Sequence, residues 1–230
     1  MIKISNEKIA NFLMLKLGKL DNNFKKEELA TVKSLFLNSK DANGNDEEID
    51  LTILKYFTNL EELELTNLNI NNEITVMLSK LKKLETITFN KCSFENPNVL
   101  QMLKVHALNI INSSIQDTKF LESLKILKKL SLIGLDNVYI KDINNLINLK
   151  YLRLSNSNII DFKEELLVPN LEELYIDNTN LYEFTLLKIP LRKKLKKLCI
   201  SDNIYLSNRN YIRELKDISI YNENMVKYIY

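Results

Sequence analysis

The sequence is poorest in the residues that make tight turns and carry out catalysis. Of its 230 residues, 3 are glycine and 3 proline, where average usage would bring about 16 and 11. Gly18, Gly44 and Gly134 stand too far apart to form a phosphate-cradling G-x-G-x-x-G or G-x-x-x-x-G-K loop. With 1 histidine, 2 cysteines and no tryptophan, neither a Cys/His zinc site nor a multi-bridge disulfide framework can be assembled. Neither sign of charge dominates. Lys and Arg number 32 against 30 Asp and Glu, a net charge of +2, which supplies no global attraction to nucleic acid or anionic lipid. Long apolar runs are absent too. The first apolar stretch, Ile9 to Leu20, is broken by Lys16 and Lys19 and has no small-residue cleavage site after it, so it reads as neither signal peptide nor membrane span. The expectation is a cytoplasmic protein without a membrane span, in which Cys92 and Cys199 stay thiols.

The length admits one elongated domain or two compact ones. Near the start, Ile9, Phe12, Leu13 and Leu17, with Leu20 beyond Gly18, fall at helical spacing, and Ser5 or Asn6 can cap them. This predicts an amphipathic helix ending near Gly18. A second short helical signal spans Phe24 to Leu29, and both segments suit the covering of a hydrophobic end.

From there one pattern recurs: an apolar residue, two variable, an apolar, one variable, an apolar, then a further apolar about five positions on. Clear copies are Leu60, Leu63, Leu65, Ile70; Leu84, Ile87, Phe89, Phe94; Val105, Leu108, Ile110, Ile115; Leu149, Leu152, Leu154, Ile159; and Leu171, Leu174, Ile176, Leu181. Weaker copies begin at Val32, Leu127, Leu195 and Leu215, the last with Ile218, Ile220 and Met225. The nine starts span 183 residues in eight steps, a mean of about 22.9, inside the range of a stacked-coil repeat. Alternation at the fourth and sixth positions makes a short strand with inward leucines, and one such strand cannot bury its face without neighbours. Each coil then returns along the opposite side, with helical turns expected at Ile74–Leu81, Val99–Leu103, Phe120–Leu124, Ile143–Leu146, Phe184–Leu187 and Tyr211–Leu215.

These copies resemble the leucine-rich repeat consensus L-x-x-L-x-L-x-x-N/C-x-L, in the short 22-residue bacterial class of internalin-like proteins, over about residues 24–228. The lead-in LKLGKLDNNFKKEELATVKSLFL is similar to that of many Firmicutes repeat proteins. The expected fold is an α/β leucine-rich repeat solenoid, arc-shaped, with about nine coils. Its parallel β-sheet is concave and its short helical turns lie on the convex side. Residues 1–31 form an N-terminal helical cap and residues 32–230 the solenoid, together a single domain. The resemblance implies an interaction scaffold. It also implies an asparagine ladder at the ninth repeat position, from which this chain departs. That position holds Leu68, Cys92, Ser113, Leu135, Ser157, Thr179, Asn203 and Glu223. Hydroxyls must replace part of the ladder, which is expected to break at Leu68 and Leu135.

Candidate chemistry is thin. The run Asp41 to Glu48 has alternating oxygen side chains like a calcium loop, but its glycine is fourth rather than sixth and Thr52 stands where a bidentate glutamate belongs. A solvated insertion into the first repeat is the simpler reading. Arg192, Lys193, Lys194, Lys196 and Lys197 form a basic cluster, yet repeat matching sets Lys196 and Lys197 against Glu172 and Glu173 on one side and Lys216 and Asp217 on the other. Without stacking aromatics or a basic domain this argues against nucleic acid. Cys199, in the fifth position, reads as an exposed thiol with no base in reach, and Cys92 as a packing residue.

The third, fifth and seventh positions of each strand face away from the core. Thr66, Thr86, Thr88 and Asn90 make the early coils polar. Later coils place Ile111, Ile133, Tyr151, Arg153, Glu173, Tyr175 and Asp177 together, a composition typical of interface anchors. The sequence therefore predicts a non-enzymatic scaffold, with no cofactor or metal, that binds a protein partner on its concave face. Alternatives are an internalin-like exported or surface adhesion module, or a regulatory subunit of an enzyme. A monomer is expected over an edge-mediated dimer, with Tyr228 and Tyr230 folding back over the last coil.

Overall fold

Alternating leucines become nine parallel strands laid side by side in chain order. They are β1 (Ser34–Asn38), β2 (Glu62–Thr66), β3 (Thr86–Asn90), β4 (Ala107–Ile111), β5 (Lys129–Ile133), β6 (Tyr151–Ser155), β7 (Glu173–Asp177), β8 (Lys197–Ile200) and β9 (Ser219–Tyr221). The computed structural model describes residues 1–41, 43–160, 166–181, 194–213, 215, 217–222, 224 and 226–227. Through β8 the register follows the repeat without slippage: Leu35, Leu63, Ile87, Leu108, Leu130, Leu152, Leu174 and Leu198 form one inward column. All are buried, as is the sixth-position column beside them. From Lys33 to Glu172 the carbonyl of the second position gathers two amides from the next coil; His106 O, for example, accepts from Lys128 N and Lys129 N at 2.8 and 3.0 Å. Each coil thereby ties down the start of the next strand.

The chain must turn sharply after each strand, and it does so at the eighth position. Asn67, Lys91, Asn112, Gly134, Asn156 and Asn178 all have positive φ, between 48 and 66°. Glycine adopts this left-handed region freely and asparagine tolerates it, so part of the chain's abundant asparagine has a structural use. At Gly134 a Cβ would also run into the Asn112 side-chain oxygen. A second asparagine series lies just before the first repeat position. Asn59, Asn148 and Asn170 donate through Nδ2 to Ala30 O, Lys125 O and Ile147 O of the preceding coil at 2.8, 2.8 and 2.7 Å.

The ninth-position ladder runs on hydroxyls and sulfur. Ser113 Oγ accepts from Cys92 N at 3.0 Å and donates to Ile111 O at 2.9 Å. Ser157 Oγ accepts from Leu135 N at 3.1 Å. The Cys92 sulfur meets the Leu68 amide, so Leu68 is served although its side chain carries no polar group for a rung. Asn203 is no rung. It lies exposed in a helix, its Oδ1 accepting from Ile204 N at 2.9 Å, because the chain enters that helix immediately after Ser201.

On the return side, helix α3 (Asn72–Ser79) and 3-10 turns at Pro97–Met102 and Lys119–Ser123 coincide with expected turns. The next, α4 (Ile140–Ile143), falls a turn earlier than Ile143–Leu146, since Leu146 instead closes the turn into the following repeat through Leu149 N at 3.0 Å. Helices α5 (Asp202–Ser207) and α6 (Arg209–Ile212) fill the eighth coil. In the first coil a 3-10 turn, Leu51–Tyr56, starts on Asp50, which accepts from Thr52 N at 2.9 Å. The expected turn at Phe184–Leu187 lies outside the described residues.

The final coil departs from the expected register. Lys197 pairs with Ser219 and Leu198 with Ile220, so Ile220, not Ile218, continues the fourth-position column. Ile218 then stands opposite Lys196, where Lys216 was expected. The two-residue shift accommodates the helices α5 and α6 before the strand. Beyond β9 the chain doubles back, with an antiparallel bridge between Tyr221 and Lys227 and Asn222 N donating to Val226 O at 2.9 Å. Glu223, Met225, Tyr228, Ile229 and Tyr230 lie outside the described residues.

At the other end α1 (Glu7–Leu17) is capped by Asn6, whose side chain accepts from Ile9 N, and ends at left-handed Gly18. Its buried stripe is Ile9, Ala10 and Leu13, which join Phe24, Leu29 and the repeat leucines in one core. Phe12, a quarter turn from that stripe, is 39% exposed, and Leu20 points into solvent beyond the Gly18 turn, contrary to the expected apolar face. The short helix α2 (Lys26–Leu29) follows, with Glu28 accepting from Lys25 N at 2.7 Å. Lys16 Nζ donates to Ser34 O at 3.0 Å and Lys8 Nζ to Lys40 O at 3.3 Å. The helix therefore supplies cations to carbonyls in and just beyond β1, the edge strand that would otherwise invite pairing.

Candidate interaction surface

The later strands carry a cross-linked cluster on their outward face. Register puts Ile111 beside Ile133, Arg153 beside Tyr175, and Ser155 beside Asp177. The rings of Tyr151 and Tyr175 meet with centroids 5.0 Å apart at a 38° tilt. Arg153 lies over the Tyr175 ring at 5.9 Å, donates through Nε to Ser155 Oγ at 2.7 Å and reaches Asp177 Oδ2 at 3.9 Å. Ser155 Oγ in turn donates to Asp177 Oδ1 at 2.7 Å, and the Tyr175 hydroxyl donates to Glu173 Oε2 at 2.9 Å. Every member holds another in place.

Outward direction does not mean exposure here. Tyr175 is only 9% exposed, and Ser155 and Asp177 are buried, although the strand pattern alone sets all three toward solvent. Large neighbours are the reason. Tyr151 and Arg153 cover Tyr175 from one side, while Lys197 on the other stands over both the Tyr175 and Tyr221 rings, at 5.3 and 5.1 Å. Burial raises the phenol pKa values of Tyr151 and Tyr175, and the Tyr175 hydroxyl beside Lys197 raises that ammonium. The atoms left accessible belong to Ile111, Ile133, Tyr151, Arg153 and Glu173, each half-buried.

Cys199 corrects the expectation of an exposed thiol. It is 1% exposed, flanked in its column by Tyr175 and Tyr221, and its Sγ donates to Asn222 O at 3.1 Å. Cys92 is buried as expected, and desolvation pushes its thiol pKa up. Both cysteines are thiols and not disulfide-bonded. The basic cluster is partly neutralised: Glu172 binds Lys196 at 2.6 Å and Lys150 at 2.9 Å. Lys194 bonds Asn170, and Arg192 and Lys193 lie outside the described residues.

The supposed calcium loop is a self-contained turn. Asp41 Oδ1 accepts from Asn43 N and Asn45 N, both at 2.8 Å, and Oδ2 from Asn45 Nδ2 at 2.8 Å. No group of three His, Cys, Asp or Glu among the described residues is placed to hold a metal. None of the described helices is long and apolar enough to cross a membrane.

The early half of the same face is not only small and polar, as Thr66, Thr86, Thr88 and Asn90 suggest: it also carries Phe36, Glu62 and Glu64. They occupy the third and fifth positions of β1 and β2. Their signal in the sequence is the repeat column itself, continued back to the first coil.

No known family profile matches the chain. It is 28% identical over 181 residues to an uncharacterized leucine-rich repeat-containing protein of Amsacta moorei entomopoxvirus, which covers 77% of this chain and 36% of that protein. The chain thus spans about a third of the relative's length. Internalin C2 from Listeria monocytogenes superposes with a TM-score of 0.64 at 18% identity, over 95% of this chain and 94% of that one. TLR13, solved in complex with ssRNA13, superposes with a TM-score of 0.59 at 23% identity over 78% of this chain and 27% of the other. Listeria monocytogenes InlP gives 0.55 at 15% identity, over 86% and 64%. Repeat spacing, strand register and these likenesses give the chain a leucine-rich repeat solenoid fold, similar to that of the internalins.

Proposed function

We propose that the protein is a non-enzymatic scaffold that holds a protein partner on the concave face of its fourth to seventh coils. One observation carries the reading: Tyr151, Arg153 and Tyr175 are locked to one another before any partner arrives. Side chains already fixed lose little rotamer freedom on binding, which raises the affinity a given contact area delivers. Ile111, Ile133, Tyr151, Arg153 and Glu173 are the contact residues, and Tyr175 and Asp177 hold them from beneath. The leucine-rich repeat fold of the neighbours supports an interaction scaffold in general terms.

The test is capture of a partner from native lysate by the full chain. Arg153→Ala or Tyr151→Ala should weaken capture about tenfold or more, as truncated interface anchors do, while Lys119→Ala on the convex side should change nothing. Equal behaviour of the two sets would refute the site. Lys163, an otherwise natural convex control, lies outside the described residues. A monomeric state is part of the same reading, and the chain doubling back from β9 supports it.

A further inference from the structure

The first three strands bear a second surface whose chemistry differs from that of the tyrosine cluster. Phe36, in β1, is 52% exposed. Together with Phe12 of α1 it lines a groove of about 300 Å³, completed by Ser34, Glu62, Glu64 and Thr88. Two half-exposed aromatic rings in one groove are an unusual surface for a strand face whose nearest outward neighbours are Glu and Thr.

The carboxylates there are uncommitted. Glu61 is paired with Lys33 at 2.8 Å, but no ion pair among the described residues takes up Glu62 or Glu64. Among the described residues, Glu64 accepts only from the Thr66 hydroxyl, at 3.3 Å. Lys16 also lines the groove, yet its ammonium is held by Ser34 O and Oγ, both at 3.0 Å, and stands over the Phe12 ring at 5.2 Å. Two carboxylates against one ammonium leave the lining net negative.

We propose that this groove docks a peptide segment of a partner protein in which arginine or lysine adjoins an aliphatic or aromatic side chain. The rings take the apolar side chain and Glu62 and Glu64 the cation. In the fifth column Phe36 and Glu64 are adjacent, about 4.8 Å apart, so neighbouring side chains of one segment reach both. Like-charge repulsion excludes an acidic segment and equally a phosphate backbone. The inference goes beyond the tyrosine cluster and does not rest on it, since β1 and β6 are five strands apart, about 24 Å.

A titration of the isotopically labelled full chain at low salt, followed by NMR, decides it. The probes are the capped tripeptides acetyl-Arg-Leu-Arg-amide and acetyl-Glu-Leu-Glu-amide. The basic probe should shift amides of residues 34–36, 62–64 and 86–88, and the acidic probe should not. Phe36→Ser, and separately the double change Glu62→Gln with Glu64→Gln, should each weaken the basic probe about fivefold or more, with the rest of the spectrum unchanged because these side chains lie outside the core. Arg153→Ala should leave the titration as it was, so failure of the tyrosine cluster as a site stays distinguishable. The proposal is overturned if the basic probe shifts none of these amides, if the acidic probe shifts them equally, or if Phe36→Ser has no effect. Concentration-dependent association of the free protein that Phe36→Ser abolishes would also overturn it, assigning the groove to a second copy.

Discussion

The two halves of the outward sheet face share one backbone geometry and differ in what their side chains do with it. In the first half Phe36 is 52% exposed; in the second, Tyr175 at the same repeat position is 9% exposed. The difference lies in the neighbours. Phe36 is flanked in register by Glu64, a side chain that reaches toward water, whereas Tyr175 is enclosed by Tyr151, Arg153 and Lys197. Strand alternation fixes direction, and neighbour size fixes exposure. A fifth-position residue on this scaffold is therefore exposed surface in one half and part of a secondary packed layer in the other.

The sharpest way to break this comparison is to truncate the same position in both halves. Tyr175→Ala removes a nearly buried ring together with its contacts to Tyr151 and Lys197, and should lower unfolding stability by about 3 kcal/mol. Phe36→Ala removes an exposed ring and should change it by no more than about 0.5 kcal/mol. Denaturant titrations of both variants measure this. Similar losses would mean that the layered packing around Tyr175 contributes nothing beyond ordinary strand surface.

The two thiols are covered in different ways. Cys92 is buried by the core, and Cys199 lies between its column neighbours Tyr175 and Tyr221 with its sulfur on Asn222 O, so both should react slowly with a thiol reagent in the native protein. Tyr221→Ala should speed modification of Cys199 about tenfold, equivalent to about 1.4 kcal/mol of protection, and leave Cys92 unchanged. Rapid reaction of Cys199 in the unaltered protein would show that the covering side chains do not close over it. The two cannot pair in either case: five coils at about 4.8 Å per strand separate them by about 24 Å, against a limit near 7 Å.

What the sequence made legible follows the same division. The inward leucines and their register through β8 could be read directly, because period-two alternation repeated every coil leaves one consistent pairing. Burial of Cys199, Ser155 and Asp177 could not, since it depends on how far Tyr151, Arg153 and Lys197 reach sideways rather than on any strand period. The shift before β9 was hidden because Ile218 and Ile220 satisfy the alternation in either register. A signal was present but unread at the eighth position, where Asn67, Asn112, Gly134, Asn156 and Asn178 recur at one repeat spacing. That column marks a left-handed turn in coils two to seven, one position before the ninth-position asparagine of the consensus.

The smallest expected effect concerns charge rather than packing, and again separates the halves. In the second half Glu172 accepts hydrogen bonds from Lys196 at 2.6 Å and Lys150 at 2.9 Å, and these lower its pKa from 4.5 to about 2. Because the folded value lies below the unfolded one, the contribution is fully present above about pH 4.5 and is lost as pH falls toward 2. In the first half the Glu61 carboxylate raises the Lys33 pKa above 10.5, so that pair weakens only as pH rises through the folded value. Glu28, Asp41 and Asp50 are lowered as well, which makes the difference between the unaltered protein and Glu172→Gln the informative quantity, not the acid limb as a whole. Stability measured from pH 6 to 2 should converge for the two proteins as Glu172 takes up its proton, and 0.5 M salt, a test concentration, should shrink the gap at pH 6 because the trio is exposed and screened. A gap that stays constant down to pH 2 would show that Glu172 acts through packing of its methylenes and that the ion trio does not stabilise the fold.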